Sequence, residues 1–358
     1  MRLLFRTDAS TVIGSGHVAR CAALAHALAR AGHDIEFVCR ELGGDLNSWL
    51  EAEGFRVARI GGGPVNSANE LADAKATAAS LQGRRRDWLI VDHYGLGIAW
   101  EKAMAAVADR IFAIDDLGRH HDCRLLLDQN CGNPTHALYA GRVPPQCELL
   151  LGAQFALLRP DFAALRAKSL RRRRDSVSRL LVFMGGSDPS NETCKALHGI
   201  GRSAMAYLAV DVAIGSGNPH RQAVANACAA MDRATLHVQT NQMAQLMSEA
   251  DCAIGAAGTA TWERCVLGLP ALVTVLAENQ TAIAEAVDAA GGHRLLGRQR
   301  EVTADHYAQA LRALDAADLA RMSRAAAAIC DGGGAERVAA RLTAGLGNSA
   351  GVMSRLNA

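Results

Sequence analysis

The sequence predicts an α/β protein built from two similar parallel-sheet domains, and three observations carry that reading. Short apolar runs alternate with alanine-rich helical patterns, as parallel strands alternate with crossover helices. The alternation breaks near residues 155–178 and restarts at Leu180. A chain of 358 residues also exceeds what one ordinary core serves, while 50% hydrophobic residues are enough for two cores.

In chain order, Leu3, Leu4 and Phe5 read as a short buried strand, and a helix-spaced stripe runs from His17 through Leu24 and Leu28 to a stop signal at Gly32. Further strands are expected at Ile35–Val38, Trp88–Val91 and Arg110–Ile114. The second alternation contributes Leu180–Met184, Val210–Ile214, Cys252–Ile254 and Ala271–Val275. Beyond about residue 300, alanine, leucine and arginine recur at helical spacing, and Gly332-Gly333-Gly334 interrupts them before a final helix. The expected division is residues 1–155, an interdomain segment 156–178, a second domain 179–345, and a flexible tail 346–358.

Composition excludes several functions. A formal net charge of +2 argues against a protein that coats nucleic acid. The run Arg171-Arg172-Arg173-Arg174 reads as a solvated linker face rather than a phosphate or nucleic-acid site. Ten cysteines, from Cys21 to Cys330, include no Cys-x-x-Cys pair, so they read as buried, reduced thiols rather than zinc ligands or a disulfide framework. No stretch has the apolar length to span a bilayer, so a cytoplasmic protein without membrane partners is expected.

In doubly wound sheets, ligands sit at the carboxyl ends of strands, and each glycine loop here follows a strand pattern. Gly14-Ser15-Gly16-His17 lets the backbone turn tightly and approach a ligand, with the unpaired N–H groups of a first helical turn beside it. A neutral imidazole there can take a proton from water, as a general base must; the plainer alternative is a histidine that packs a first turn. Gly255-Ala256-Ala257-Gly258-Thr259 offers small residues and backbone donors where a diphosphate can rest, and Glu263 stands one helical turn beyond Thr259. Small residues also serve close helix packing, and a helix carboxylate is usually solvated. Gly185-Gly186-Ser187-Asp188 is either a loop over a ligand or only a turn with a cap. His93 is a second acid or a satisfied buried histidine. Asp115, Asp116, His120, His121 and Asp122 are metal-ligand residue types, although no other cluster completes a metal site. Asp8 either orients the histidine or holds a hydroxyl.

Taken together, Phe5-Arg6-Thr7-Asp8, Gly14-Ser15-Gly16-His17, Asp92-His93-Tyr94-Gly95, Gly185-Gly186-Ser187-Asp188, Gly258-Thr259 with Glu263, Asn279-Gln280 and Asp331–Glu336 resemble the UDP-2,4-diacetamido-2,4,6-trideoxy-β-L-altropyranose hydrolases of pseudaminic acid biosynthesis. The matches run in order over most of the chain. The second-half loops are shared with relatives such as the murein N-acetylglucosaminyl transferase. The resemblance implies a GT-B fold, two Rossmann-like domains across a cleft, with no cofactor or metal. It implies that His17 is the catalytic base. Arg6, Asp8, Gly14, Gly16, Arg20, Tyr94, Arg159, Gly186, Ser187, Gly258, Thr259, Glu263, Asn279 and Gln280 are then the substrate-binding positions, with Tyr94 and Asn279 near the sugar and its water and Glu263 on the ribose. The implied substrate is a UDP-linked diacetamido-trideoxy sugar, and the implied pathway neighbours are an epimerase-type enzyme and a nonulosonate synthase. The modest aromatic content suits a monomer. Two rivals are a GT-B glycosyltransferase, with an acceptor hydroxyl in place of water, and a non-catalytic sugar-nucleotide binding protein, which has no need of His17.

Overall fold

The computed structural model of the chain describes residues 1–130, 136–172, 176–203, 205 and 207–344. The expected tail 346–358 and Arg173 and Arg174 of the arginine run lie outside the described residues.

The first half folds as β1 (Arg2–Thr7), α1 (Gly16–Arg30), β2 (Asp34–Arg40), α2 (Asn47–Ala52), β3 (Arg56–Ile60), α3 (Glu70–Ser80), β4 (Arg86–Asp92), α4 (Ile98–Met104), β5 (Ala108–Ile114), β6 (Leu125–Asp128) and β7 (Glu148–Leu151). Its seven strands are ordered β3-β2-β1-β4-β5-β6-β7, and every described pairing is parallel. The second half begins with α5 (Pro160–Arg172) and continues through β8 (Arg179–Phe183), α6 (Glu192–Arg202), β9 (Ala209–Ile214), α7 (Arg221–Ala229), β10 (Ala234–Val238), α8 (Met243–Glu249), β11 (Cys252–Ala256), α9 (Ala260–Val266), β12 (Ala271–Val275), α10 (Thr281–Ala289), β13 (Arg294–Arg298), α11 (Ala304–Arg312), α12 (Ala316–Ile329) and α13 (Gly334–Ala344). Its six strands are ordered β10-β9-β8-β11-β12-β13, also parallel. Two doubly wound domains result, the architecture the sequence pattern predicts.

Strand order reverses between β1 and β4 in one sheet and between β8 and β11 in the other. At such switch points the loops leaving neighbouring strands diverge and open a crevice. Register sharpens the effect. Thr7 pairs with Asp92 and Phe183 with Gly255, so the paired strands end level and four loops emerge together.

The strand interiors are apolar runs because both faces of each sheet are covered by helices. Leu3 and Phe5 pack with Val18, Cys21, Leu24 and Leu28 of α1 on one face, and Leu4, Leu89 and Val91 pack with Trp100 and Met104 on the other.

One assignment differs from the sequence division. Helix α13, placed by sequence in the second domain, buries Ala335, Val338, Ala339 and Leu342 in the first domain's core. An apolar stripe goes where an apolar face is open, and α1 supplies one. Gly334 is required at the crossing, since a Cβ there would lie 2.2 Å from the Ala156 carbonyl oxygen. The linker is short and alternates between cores: Ala156 and Leu158 sit in the second, Leu157 in the first.

The loop after β5 is braced by charge. His121 Nδ1 lies 2.6 Å from Glu101, Arg119 Nε donates to Asp115 at 2.6 Å, and Arg119 Nη1 reaches the Tyr94 carbonyl at 2.8 Å. These contacts use His121 and Asp115 within the fold and press the loop against Tyr94. Burial alone would lower His121, but hydrogen bonds to Asp115 and Glu101 outweigh it and raise the imidazole from 6.5 to about 9. A raised folded value means the stabilisation is complete below pH 6.5 and lost as pH rises through about 9. In urea titrations, His121→Gln should therefore cost roughly 3 kcal/mol more at pH 6 than at pH 10.

Candidate active site

A cleft of about 680 Å³ runs between the domains. Ser15, Gly16 and Arg20 wall it on one side, Gly186, Thr259 and Glu263 on the other, with Arg159 from the linker. A Cβ built at Gly16 would lie 3.6 Å from Thr259 Oγ1, so the glycine loops of the two domains abut. Gly14, at φ +83°, provides the left-handed turn that brings Gly16 there.

His17, 7% exposed, stands on the first turn of α1 beside Gly16 and Arg20. Its Nδ1 is 2.6 Å from Asp92 Oδ1. A carboxylate only accepts, so Nδ1 carries the proton and the lone pair of the neutral ring resides on Nε2, which has no protein partner among the described residues. Arg20, one turn along the helix, donates to the same carboxylate from Nε at 2.6 Å and from Nη2 at 2.7 Å. Arg20 Nη2 and His17 Nδ1 are also 3.2 Å apart, but both are donors that share Asp92 rather than partners of each other. Burial would raise Asp92; Arg20 first and His17 second reverse that and hold it well below the usual carboxylate range. The result is a fixed tautomer with a basic nitrogen on the far side of the ring.

Tyr94 meets His17 edge-on, with ring centroids 4.6 Å apart. Its hydroxyl lies 3.4 Å from Asn279 Nδ2, reaching from the second domain. A second polar bridge crosses nearby, where Trp262 Nε1 donates to Asn130 Oδ1 at 2.9 Å.

Glu263 lines the cleft, half-buried, and its carboxylate accepts no hydrogen bond among the described residues. Burial pushes its carboxyl up to about 7, against the pull of Arg159 and Arg264. Arg159 is tied to Asp161 at 2.9 Å and faces the Asn241 carbonyl. Gln280 Oε1 accepts from the Leu276 backbone at 3.0 Å, and its Nε2 lies beside Gly258. Gly186 is in the cleft wall, its carbonyl accepting from Gly215 at 2.9 Å. Ser187 stands on the same loop. Asp188 caps α6 through Glu192 and Thr193 N–H groups at 2.9 Å, so this loop is a cap as well as a cleft wall.

Two residues expected to contact substrate lie inside the first domain. Arg6 and Asp8 are both 0% exposed and spend their charges inside the protein. Arg6 pairs with Asp8 and Asp73, each at 2.6 Å, while Asp8 also accepts the Arg40 backbone N–H at 2.7 Å. They brace the glycine loop from behind. Asp8 faces His93 rather than His17. His93 is a buried histidine whose Nδ1 accepts from Gly95 N–H at 2.9 Å, while its Nε2 lies 3.4 Å from Asp8 without a hydrogen bond among the described residues. The residue that orients His17 is Asp92, the first of the Asp92-His93-Tyr94-Gly95 motif. Its signal is present in sequence, as an acidic residue closing the apolar run Trp88–Val91. Arg171 and Arg172 of the arginine run belong to α5, and Arg172 pairs with Asp251 at 2.9 Å. Among the described residues, no three His, Cys, Asp or Glu side chains are grouped as metal ligands would be, and no helix is long and apolar enough to cross a membrane.

Two parallel-sheet domains closing on a glycine-lined cleft define the GT-B fold, and solved structures of that class superimpose on nearly the whole chain. MurG of Acinetobacter baumannii does so with a TM-score of 0.68 at 15% identity, covering 96% of this chain and 99% of that one. Residues 180–340 match the glycosyltransferase family 28 C-terminal domain. Among curated proteins, the UDP-2,4-diacetamido-2,4,6-trideoxy-β-L-altropyranose hydrolase of Campylobacter jejuni is 25% identical over 268 residues, covering 75% of this chain and 89% of its own. That similarity bears out the resemblance drawn from the motifs. The spore coat polysaccharide biosynthesis protein SpsG of Bacillus subtilis is 33% identical over 141 residues, 37% of this chain and 39% of its own.

The raised value of Glu263 has a stability consequence. Keeping a carboxylate in that wall costs nothing below pH 4.5, where it is protonated folded or unfolded, and the full amount above about pH 7. Glu263→Gln should therefore unfold at a higher urea concentration than the parent at pH 8, by roughly 1–3 kcal/mol, and match it at pH 4.

Proposed function

We propose that this protein is an enzyme acting on a nucleotide sugar, and that it hydrolyses UDP-2,4-diacetamido-2,4,6-trideoxy-β-L-altropyranose without a metal. The carrying observation is the Asp92–His17 pair, whose free Nε2 belongs to the domain facing the Gly258-Thr259 loop. The substrate comes from the C. jejuni relative.

The diphosphate rests against the N–H groups of Thr259 and Ala260 and the glycine loop of α1, where unpaired donors favour an anion. Glu263, unpaired in the cleft wall, accepts from the ribose hydroxyls. The sugar then extends towards His17, Tyr94 and Asn279. Water attacks the anomeric carbon from the face opposite the diphosphate, and Nε2 takes one of its protons. The carbon–oxygen bond to the β-phosphate breaks with its electron pair leaving on UDP, so the configuration inverts. Asp92 stabilises the imidazolium that forms, with its own charge already balanced by Arg20. UDP is a good leaving group, so the protein's main tasks are to place water and to exclude other acceptors.

The transferase-domain match at residues 180–340 favours a second reading, in which an acceptor hydroxyl replaces the water. One assay separates the two. With EDTA present and no acceptor, the native protein should release UDP and free sugar, and His17→Ala should lower kcat by about 10²–10⁴ while remaining folded. UDP release that requires an added acceptor would replace hydrolysis by transfer.

A further inference from the structure

This inference rests on the hydrolytic reading and concerns which way the Asn279 amide faces. The Tyr94 side chain, 40% exposed, has one hydroxyl proton to give and an oxygen that accepts. Asn279 approaches that oxygen at 3.4 Å, while the ring edge lies against His17. Asp116 also borders this group. Its Oδ2 accepts from Asn130 Nδ2 at 2.7 Å and faces Arg20 Nη1 at 3.5 Å. Its Oδ1 is buried and has no hydrogen-bond partner among the described residues. A buried acceptor left unpaired is costly, so it draws a nearby hydrogen-bond donor. The Tyr94 phenol is a suitable one: burial first and the Asp116 charge second hold it above its ordinary value, so it keeps its proton.

We propose that Asp116 is a positioning residue that accepts a hydrogen bond from the Tyr94 hydroxyl, so that Asn279 must donate its N–H to the Tyr94 oxygen and turn its own Oδ1 into the cleft. The attacking water then has two acceptors. One proton goes to His17 Nε2, the other is held by Asn279 Oδ1, and the lone pair is aimed at the anomeric carbon. Because Asn279 belongs to the second domain, the water site is complete only when the two domains meet.

The test is a double-mutant cycle of Asp116→Asn and Asn279→Ala, reading kcat and KM for UDP release and UDP affinity by calorimetry. The Asp116→Asn amide donates to the Tyr94 oxygen, sends the hydroxyl proton towards Asn279, and occupies the oxygen meant for water. Asp116→Asn should lower kcat about 10- to 100-fold with UDP affinity unchanged, and should add nothing once Asn279 is alanine. Independent losses, a loss confined to KM or UDP affinity, or full activity in Asp116→Asn would each overturn the proposal. Should Asp116→Asn fail to fold, Tyr94→Phe in the same cycle removes only the hydroxyl and carries the same expectation. Absence of acceptor-free turnover in the native protein would instead overturn the hydrolytic reading, and the water-orienting role with it.

Discussion

The cleft depends on one buried carboxylate. Asp92 closes the central strand β4, in register with the end of β1, and its two oxygens receive His17 Nδ1, Arg20 Nε and Nη2, and the more distant Cys21 thiol at 3.6 Å. Such a charge is tolerable only where its partners are near and well aimed. Spacing on α1 meets that need, because residues three apart share a helix face and His17 and Arg20 arrive one above the other. Strand, helix and base are thus set by the same ion group. The glycine loop between them has little freedom once Asp92 is satisfied, and its other side is held by Arg6, Asp8, Asp73 and Arg40.

This arrangement divides the work unequally between the halves. The first domain supplies His17 and the carboxylate that fixes its tautomer. The second contributes the Gly258-Thr259 loop, the cleft-wall carboxylate of Glu263 and the Asn279 amide that meets Tyr94. Polar contacts already span the gap at Trp262–Asn130 and Asn279–Tyr94, so a bound sugar nucleotide would enter a nearly assembled site.

Much of this could be read in the sequence because glycine loops and apolar runs are local signals. The Gly14–His17 turn, the loop at Gly258-Thr259 and the strands before them follow from near neighbours. What escaped was set by distance. Arg6 and Asp8 sit in a conspicuous motif, yet Arg6's second partner Asp73 lies 67 residues away, and only the fold shows that these charges are spent inside the protein. Asp92 was visible as a strand-ending acid, but its link to His17 spans 75 residues. The final helix is the sharpest case. Its alanine-rich stripe announces a helix without saying whose core it joins, and the answer depends on an apolar face left open on α1.

That helix has a mechanical consequence. The chain passes between the domains twice, once through Ala156–Leu158 and once through Cys330–Ala335, and the two passages touch where Gly334 meets Ala156. A single flexible strand would let the halves twist and wander relative to each other. Two strands packed side by side act as a paired hinge, resisting torsion while permitting bending. Arg337 of the returning helix donates to the Gln154 carbonyl at 2.8 Å and ties one leaf of the hinge to the other. Any relative movement of the halves must therefore bend both crossings together.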